Sequence, residues 1–338
     1  MTKRFKVDYL RDGLTEEFHT GVVQYGEENT DITPYYLRSC AKPLQACLLL
    51  DYGIDLTPKE LAFCSGSHAG ENCHVEIAKE ILNKLRLNES YLKCGIHAPL
   101  SRTMQDKMLL NGEKTSQIHN NCSGKHLGFL AICKQQGWDL DTYYEPEHPL
   151  QKEVKRKIYE LCEITDTNSQ PSPSKREYNK LKYLYPYPMT TDGCGGVNKS
   201  LPEIYPMTTD GCGVPIVSMP LGNLVKGYIN LNKKYPELVN AILQNPYIYG
   251  GENRLDTEII QKSDGLLAKV GAGGLCVVLN AKKNEAFAVK MNDANTEARR
   301  FAVFEIINSL NWAKVEIDRT IKTLNGKIVG EVVVTIDK

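Results

Sequence analysis

Residues 35–50, YYLRSCAKPLQACLLL, are the stretch on which the reading of the chain turns. Two tyrosines end a strand, and a short polar approach follows. The apolar run from Pro43 to Leu50 reads as a core helix, closed by Asp51-Tyr52-Gly53. Ser39 and Lys42 stand three apart where that helix begins, and positions i and i+3 share a helix face. That spacing lets the Lys42 amine reach the Ser39 hydroxyl. A serine hydroxyl needs a neighbouring base before it can attack. A lysine supplies one when burial lowers its pKa, because desolvation disfavours the ammonium. Free N–H groups at a helix start can also hold an oxyanion. Ser-x-x-Lys recurs at Ser90–Lys93 and Ser172–Lys175, in an exposed turn and a polar loop. Alone, the pattern therefore reads better as a helix cap beside a solvated lysine, and its weight comes from its company.

Composition narrows that company. The chain has 338 residues, enough for one large domain or two smaller ones, with 41% hydrophobic and 24% charged side chains, as in ordinary globular proteins. Its 41 basic residues balance 41 acidic ones, which argues against nucleic acid or an anionic membrane held by bulk charge. No apolar run is long enough to span a membrane, and the start, MTKRFKVDYLRDG, contains no apolar signal segment. Eleven cysteines without such a segment point to reduced thiols in the cytoplasm. They are expected to be core residues, metal ligands or active-site groups.

Working outward, residues 5–27 alternate apolar and polar and break at Arg11-Asp12-Gly13, which predicts a β-hairpin with His19 packed on its second strand. A short helix over 58–63 leads into Cys64-Ser65-Gly66-Ser67-His68-Ala69-Gly70, small residues that allow close approach of backbone or ligand. Ser67 and His68 there read as either a cap with a satisfied loop histidine, or pocket residues, ahead of a helix from Glu71 to Leu85. Residues 93–101 read as an irregular connector, and Met104–Leu110 as a helix. Residues 118–126, IHNNCSGKH, gather polar, small and basic groups before a buried helix expected from Leu127. Nothing in that loop serves a core, so it reads as a candidate site ahead of the plainer reading, an Asx turn followed by a capped helix.

A helix over 149–164 is followed by TDTNSQPSPSKREYNKLK (165–182), which reads as an insertion. YPMTTDGCG then occurs twice, at 187–195 and 205–213. Two copies at this spacing do not make a solenoid. The second runs into the apolar strand Val214–Leu221 and is the embedded copy, whereas the first is redundant, giving an insertion over 165–205 within a single catalytic domain over 1–338. Later segments read as helices over 219–243, a loop over 246–256 with a helix from Thr257, strand-turn-strand over 265–279, a strand at 287–290, a helix over 298–310 and a strand over 327–336.

An early Ser-x-x-Lys and a late Lys269-Val270-Gly271 on a strand, with Asn120–Lys125 between, follow the arrangement of serine transpeptidases and β-lactamases. A closer resemblance covers nearly the whole chain in order: RDGLTEEFHTG (11–21), RSCAKPLQA (38–46), CSGSHAGENCHV (64–75), CGIH (94–97), HNNCSGKHLGFL (119–130), DGCGVPIVSMPL (210–221), LAKVGAGGL (267–275) and NGKIVGE (325–331). These segments resemble the bacterial asparaginase II family of the Rhizobium type. The resemblance implies an α/β (α+β) fold like that of serine β-lactamases and glutaminases, with a mainly antiparallel sheet, flanking helices and a helical region. It implies a cytoplasmic homodimer that hydrolyses L-asparagine to L-aspartate and ammonia. Carried over, Ser39 and Lys42 form one Ser–Lys pair, and Ser67 and Lys269 a second. Cys122, Lys125 and Cys212 match residues that can hold zinc in that family, with no cofactor required for turnover. Arg38 and Arg254 are candidates for the substrate α-carboxylate, and His68, Asn121 and Gly271 for further substrate contacts. Gly273 departs from the family, which often has an acidic residue there. Two rival readings remain: a glutaminase or other serine amidohydrolase, and an inactive zinc- or thiol-binding paralogue.

Overall fold

The computed structural model describes residues 1–164 and 205–337. The expected insertion, apart from Tyr205, and the first YPMTTDGCG copy lie outside those residues. Asp12 and Gly13 take positive φ of 46° and 85° and fold β1 (Thr2–Arg11) onto β2 (Leu14–Tyr25), the tight hairpin that Asp-Gly favours. The hairpin forms the middle of a seven-stranded, wholly antiparallel sheet. The other strands are β6 (Leu266–Val270), β7 (Leu275–Asn280), β8 (Glu285–Met291), β9 (Thr320–Lys322) and β10 (Ile328–Ile336). Their order is β6-β7-β8-β2-β1-β10-β9.

Side chains alternate across the pleat, and in the β6–β8 half both faces are covered. Leu267, Val277, Leu279 and Ala288 face a large helical core. Leu266, Ala268, Val278, Phe287 and Val289 face a second core. That second face is covered by the helix Thr296–Ser309 (α11) and by Leu255 and Ile259 of α10 (Leu255–Gln261). The helical core gathers α1 (Lys42–Asp51), α2 (Pro58–Ser65), α3 (Asn72–Lys84), α4 (Arg102–Leu110), α5 (Ser123–Gln136), α6 (Pro149–Leu161), α7 (Leu221–Lys234), α8 (Pro236–Gln244) and α9 (Pro246–Tyr249). A small sheet, β3 (Tyr35–Tyr36), β5 (Pro215–Met219) and β4 (Met207–Thr209), leads the chain into the Ser39 turn. The expected antiparallel sheet with flanking helices is therefore the fold. The embedded copy of the repeat supplies β4 and runs into β5.

Two expectations are corrected. The helix expected from Leu127 starts at Ser123. Asn120 Oδ1 accepts from Cys122 N–H at 2.8 Å and orders the entry, and Ser123, Gly124, Lys125 and His126 form a buried first turn instead of a loop. The 246–256 segment is not all loop either, since Pro246 opens the one-turn helix α9 and α10 begins two residues before Thr257. Among the described residues no helix is long and apolar enough to cross a membrane.

Candidate active site

Ser39 lies in a 3-10 turn, Arg38–Ala41, that runs straight into α1. Arg38 holds a positive φ of 48°, a conformation that costs a non-glycine residue on the order of 1 kcal/mol and tends to mark functional turns. Ser39 remains half-buried, whereas Lys42 is 1% exposed. The Lys42 ammonium turns away from its own helix. Its Nζ donates to Ser67 Oγ at 2.9 Å and to the Asn121 carbonyl at 2.9 Å. The lysine in contact with Ser67 is therefore Lys42 rather than Lys269.

Ser67 is reached through Gly66, where any Cβ would overlap the Tyr249 carbonyl. Ser67 N–H donates to that same carbonyl at 3.0 Å. Three lysines are buried here, and their partners differ. Lys269 Nζ sits 3.2 Å from Asp256 Oδ2, both side chains fully buried. Lys125 Nζ lies 2.9 Å from Cys212 Sγ. Among the described residues no carboxylate pairs with Lys42. Burial is the largest influence on its amine, ahead of the opposing Cys122 charge and the like charges of Lys125 and Lys269, and its pKa lies below the ordinary lysine range. It is the lysine best suited to act as a neutral base.

Lys269 also donates to the Val270 carbonyl at 2.8 Å. Burial alone would raise the Asp256 carboxyl, but the Lys269 and Arg254 charges outweigh it and keep its pKa below the usual value. Gly271 packs against the Ser39 turn, where a Cβ would crowd Cys40 Sγ at 3.0 Å. Its carbonyl accepts from Arg299 Nη1 at 3.0 Å.

The first turn of α5 brings Cys122 and Lys125 to Cys212, all three buried. Hydrogen bonding to Cys212 is the largest influence on Cys122; with Lys42 and Lys125 it outweighs burial and holds this thiol well below its ordinary pKa, while Cys212 is raised. On Lys125 burial is outweighed by the two sulfurs, and its pKa is raised. A zinc ion would find two sulfur donors and one nitrogen converging. The sulfurs suit zinc, but the nitrogen is an ammonium already engaged with Cys212, so the set fits only with release of the lysine proton. His126 leans on Cys212, and its Nε2 has no partner of hydrogen-bond geometry. Its Nδ1 lies 2.6 Å from Tyr143 Oη.

The remaining candidates divide. Arg38 Nε donates to Asp210 Oδ1 at 2.7 Å beside Ser39. His68 Nδ1 accepts from Gly70 N–H at 3.1 Å, so its Nε2 faces Ser123 Oγ, 2.9 Å away, as the donor. Asn121 serves Lys42 through its backbone carbonyl. Arg254 lies apart from Ser39, on a cavity that neither serine lines. Asp210 and Asp256 were not singled out from the sequence. Asp210 stood inside the repeated motif, two residues before Cys212, whereas Asp256 gave no local sign.

The L-asparaginase II family model matches residues 7–171 and 189–335. No curated protein matches in sequence. Among solved structures, a β-lactamase from Mycobacterium bovis is similar at 11% identity and TM-score 0.39, over 91% of this chain and 95% of that one. A β-lactamase/D-alanine carboxypeptidase from Pseudomonas syringae matches at 13% identity and TM-score 0.38, over 90% and 93%. A D-alanine carboxypeptidase from Burkholderia cenocepacia matches at 13% identity and TM-score 0.36, over 90% and 93%. Scores this low place no residue by correspondence.

Proposed function

The chain belongs to the L-asparaginase II family and is an amidohydrolase; from that premise we propose that it hydrolyses L-asparagine to L-aspartate and ammonia through an acyl-enzyme on Ser39. The observation that carries this reading is Lys42, buried without a carboxylate partner and 2.9 Å from Ser67 Oγ. A nucleophile must meet its substrate, and Ser39 is half-buried while Ser67 is 1% exposed. In this reading Ser39 Oγ attacks the side-chain amide carbon, and its proton passes to neutral Lys42, relayed by Ser67. Backbone N–H groups at the Ser39 turn hold the oxyanion. The C–N bond then breaks, Lys42 returns the proton to the leaving nitrogen, and ammonia departs. Water repeats the sequence on the ester and frees aspartate.

Arg38 takes the substrate α-carboxylate and Asp210 its ammonium. Lys269 and Asp256 stiffen the strand end beside the turn. Cys122, Lys125 and Cys212 would hold zinc, which when bound supplies positive charge beside Lys42; turnover does not require it. The reading further takes the protein to be a homodimer in the cytoplasm, where its ten described cysteines, all free, would stay reduced.

The test is ammonia release from L-asparagine and L-glutamine by wild type, Ser39→Ala and Ser67→Ala, with and without chelator. Asparagine turnover lost in Ser39→Ala, reduced roughly 10²–10⁴-fold in Ser67→Ala and indifferent to chelator is the expected outcome. Activity that survives Ser39→Ala and vanishes in Ser67→Ala transfers the nucleophile to Ser67. Faster turnover of glutamine selects the glutaminase. A wild type inert with or without zinc overturns the reading in favour of a binding paralogue.

A further inference from the structure

The cavity that Arg254 faces has a volume of about 760 Å³ and lies between the 250–254 loop, α10 and the start of α11. Four cations and three anions line it. Arg300 forks onto Glu258 at 2.8 and 2.6 Å, and Lys262 adds a bond to the same carboxylate at 2.8 Å. Those three side chains bond one another. Arg299 is different: it is 7% exposed, its Nη1 bonds only backbone carbonyls of Gly271 and Leu275, and its Nε has no partner. Among the described residues no carboxylate neutralises it. Arg254 Nε is also without a hydrogen bond and stands 3.9 Å from Asp256.

A buried guanidinium without an anion is costly, and a planar carboxylate is the ligand that matches its fork. At the mouth of the same cavity stand Glu252 and Glu297, both exposed and neither in an ion pair among the described residues, although the Glu297 charge is felt by Arg300. Positive charge inside and negative charge at the rim, within one small cavity, complement a zwitterion.

We propose that this cavity is a binding site for a free α-amino acid, separate from the Ser39–Ser67 centre, with the carboxylate on Arg299 and Arg254 and the ammonium toward Glu252 and Glu297. Arg254 faces Asp256, and Asp256 holds Lys269. Occupancy thus bears on the lysine next to the catalytic turn.

The test is calorimetric titration of the full chain with glycine, with propionate as the carboxylate alone and ethylamine as the ammonium alone. Glycine is expected to bind, and Glu252→Gln/Glu297→Gln to weaken it about tenfold while leaving propionate unchanged. Arg299→Met is expected to abolish binding of both acids. Because Arg299 also holds the β6–β7 turn, its circular dichroism spectrum is taken in parallel, and the two rim substitutions, being exposed, carry the test if that variant unfolds. Glycine that fails to bind at millimolar concentration, or binds with the same affinity in the rim variant, overturns the proposal. Binding lost with the variants in a protein inert toward asparagine leaves this site standing and overturns only the proposed reaction.

Discussion

At the scale of single residues, the site separates three buried lysines by their partners, and that separation makes different predictions for two equal substitutions. Lys269→Met strands the Asp256 carboxylate in a dry interior and should cost about 3–5 kcal/mol of stability. Lys42→Met removes a buried amine that no carboxylate offsets. It should abolish turnover and cost less stability than Lys269→Met, because the Cys122 sulfur that faces Lys42 can return to its neutral thiol. Urea midpoints for the two variants check this, and equal destabilisation would refute the distinction. The folded pKa of Lys42 lies below that of the free side chain, so the base form is present above that lowered value and lost as pH falls through it. The acid limb of kcat should accordingly lie below the ordinary lysine range. The Ser39–Lys42 pattern was legible because the two stand three positions apart in sequence. The Lys42–Ser67 contact was not, since it spans 25 positions and depends on how α1 meets α2. Asp256 was invisible for the same reason: its meaning comes from a strand that follows it.

At the scale of elements, what positions the chemistry is close approach of backbone. Gly66 lets the end of α2 pass the Tyr249 carbonyl. Gly66→Ala should push Ser67 off Lys42, lowering kcat sharply and stability by about 1–3 kcal/mol. Normal kinetics in that variant would show the approach to be incidental. The α5 boundary teaches the complementary lesson. The polar run Ser123–His126 looked like loop by composition, but tertiary burial overrides local propensity, and Asn120 forms an Asx turn that leads the chain into the helix. A second device joins α2 to α3. Phe63 and His68 stack at 4.7 Å, His68 and His74 at 5.1 Å, and His74 and Tyr247 at 6.1 Å. Burial, the largest cause, lowers the pKa of both histidines, and the His74 charge lowers His68 further. The unfolded chain therefore binds more protons below the ordinary histidine value. Stability is full above roughly pH 6.5 and declines as pH falls through the lowered folded values. Urea midpoints between pH 7 and 5 should fall, and His74→Gln should flatten the slope.

For the molecule as a whole, the family was readable because its segments keep their order from Arg11 to Glu331, and the match spans nearly the same range. The cavity of Arg254 and Arg299 was not readable, because the loop and the helix that form it are some forty residues apart and neither resembles a motif. The sheet carries one further consequence. Phe5 pairs with Ile336 and Arg11 with Gly330, so β1 obtains its second neighbour only when almost the entire chain exists. On a ribosome adding ~5–20 residues per second, the first hairpin must wait roughly 15–60 s with an open flank. During synthesis the nascent protein is thus an unfinished sheet with a sticky edge, and its yield in the cell should depend on chaperones that occupy that edge until the last strand arrives.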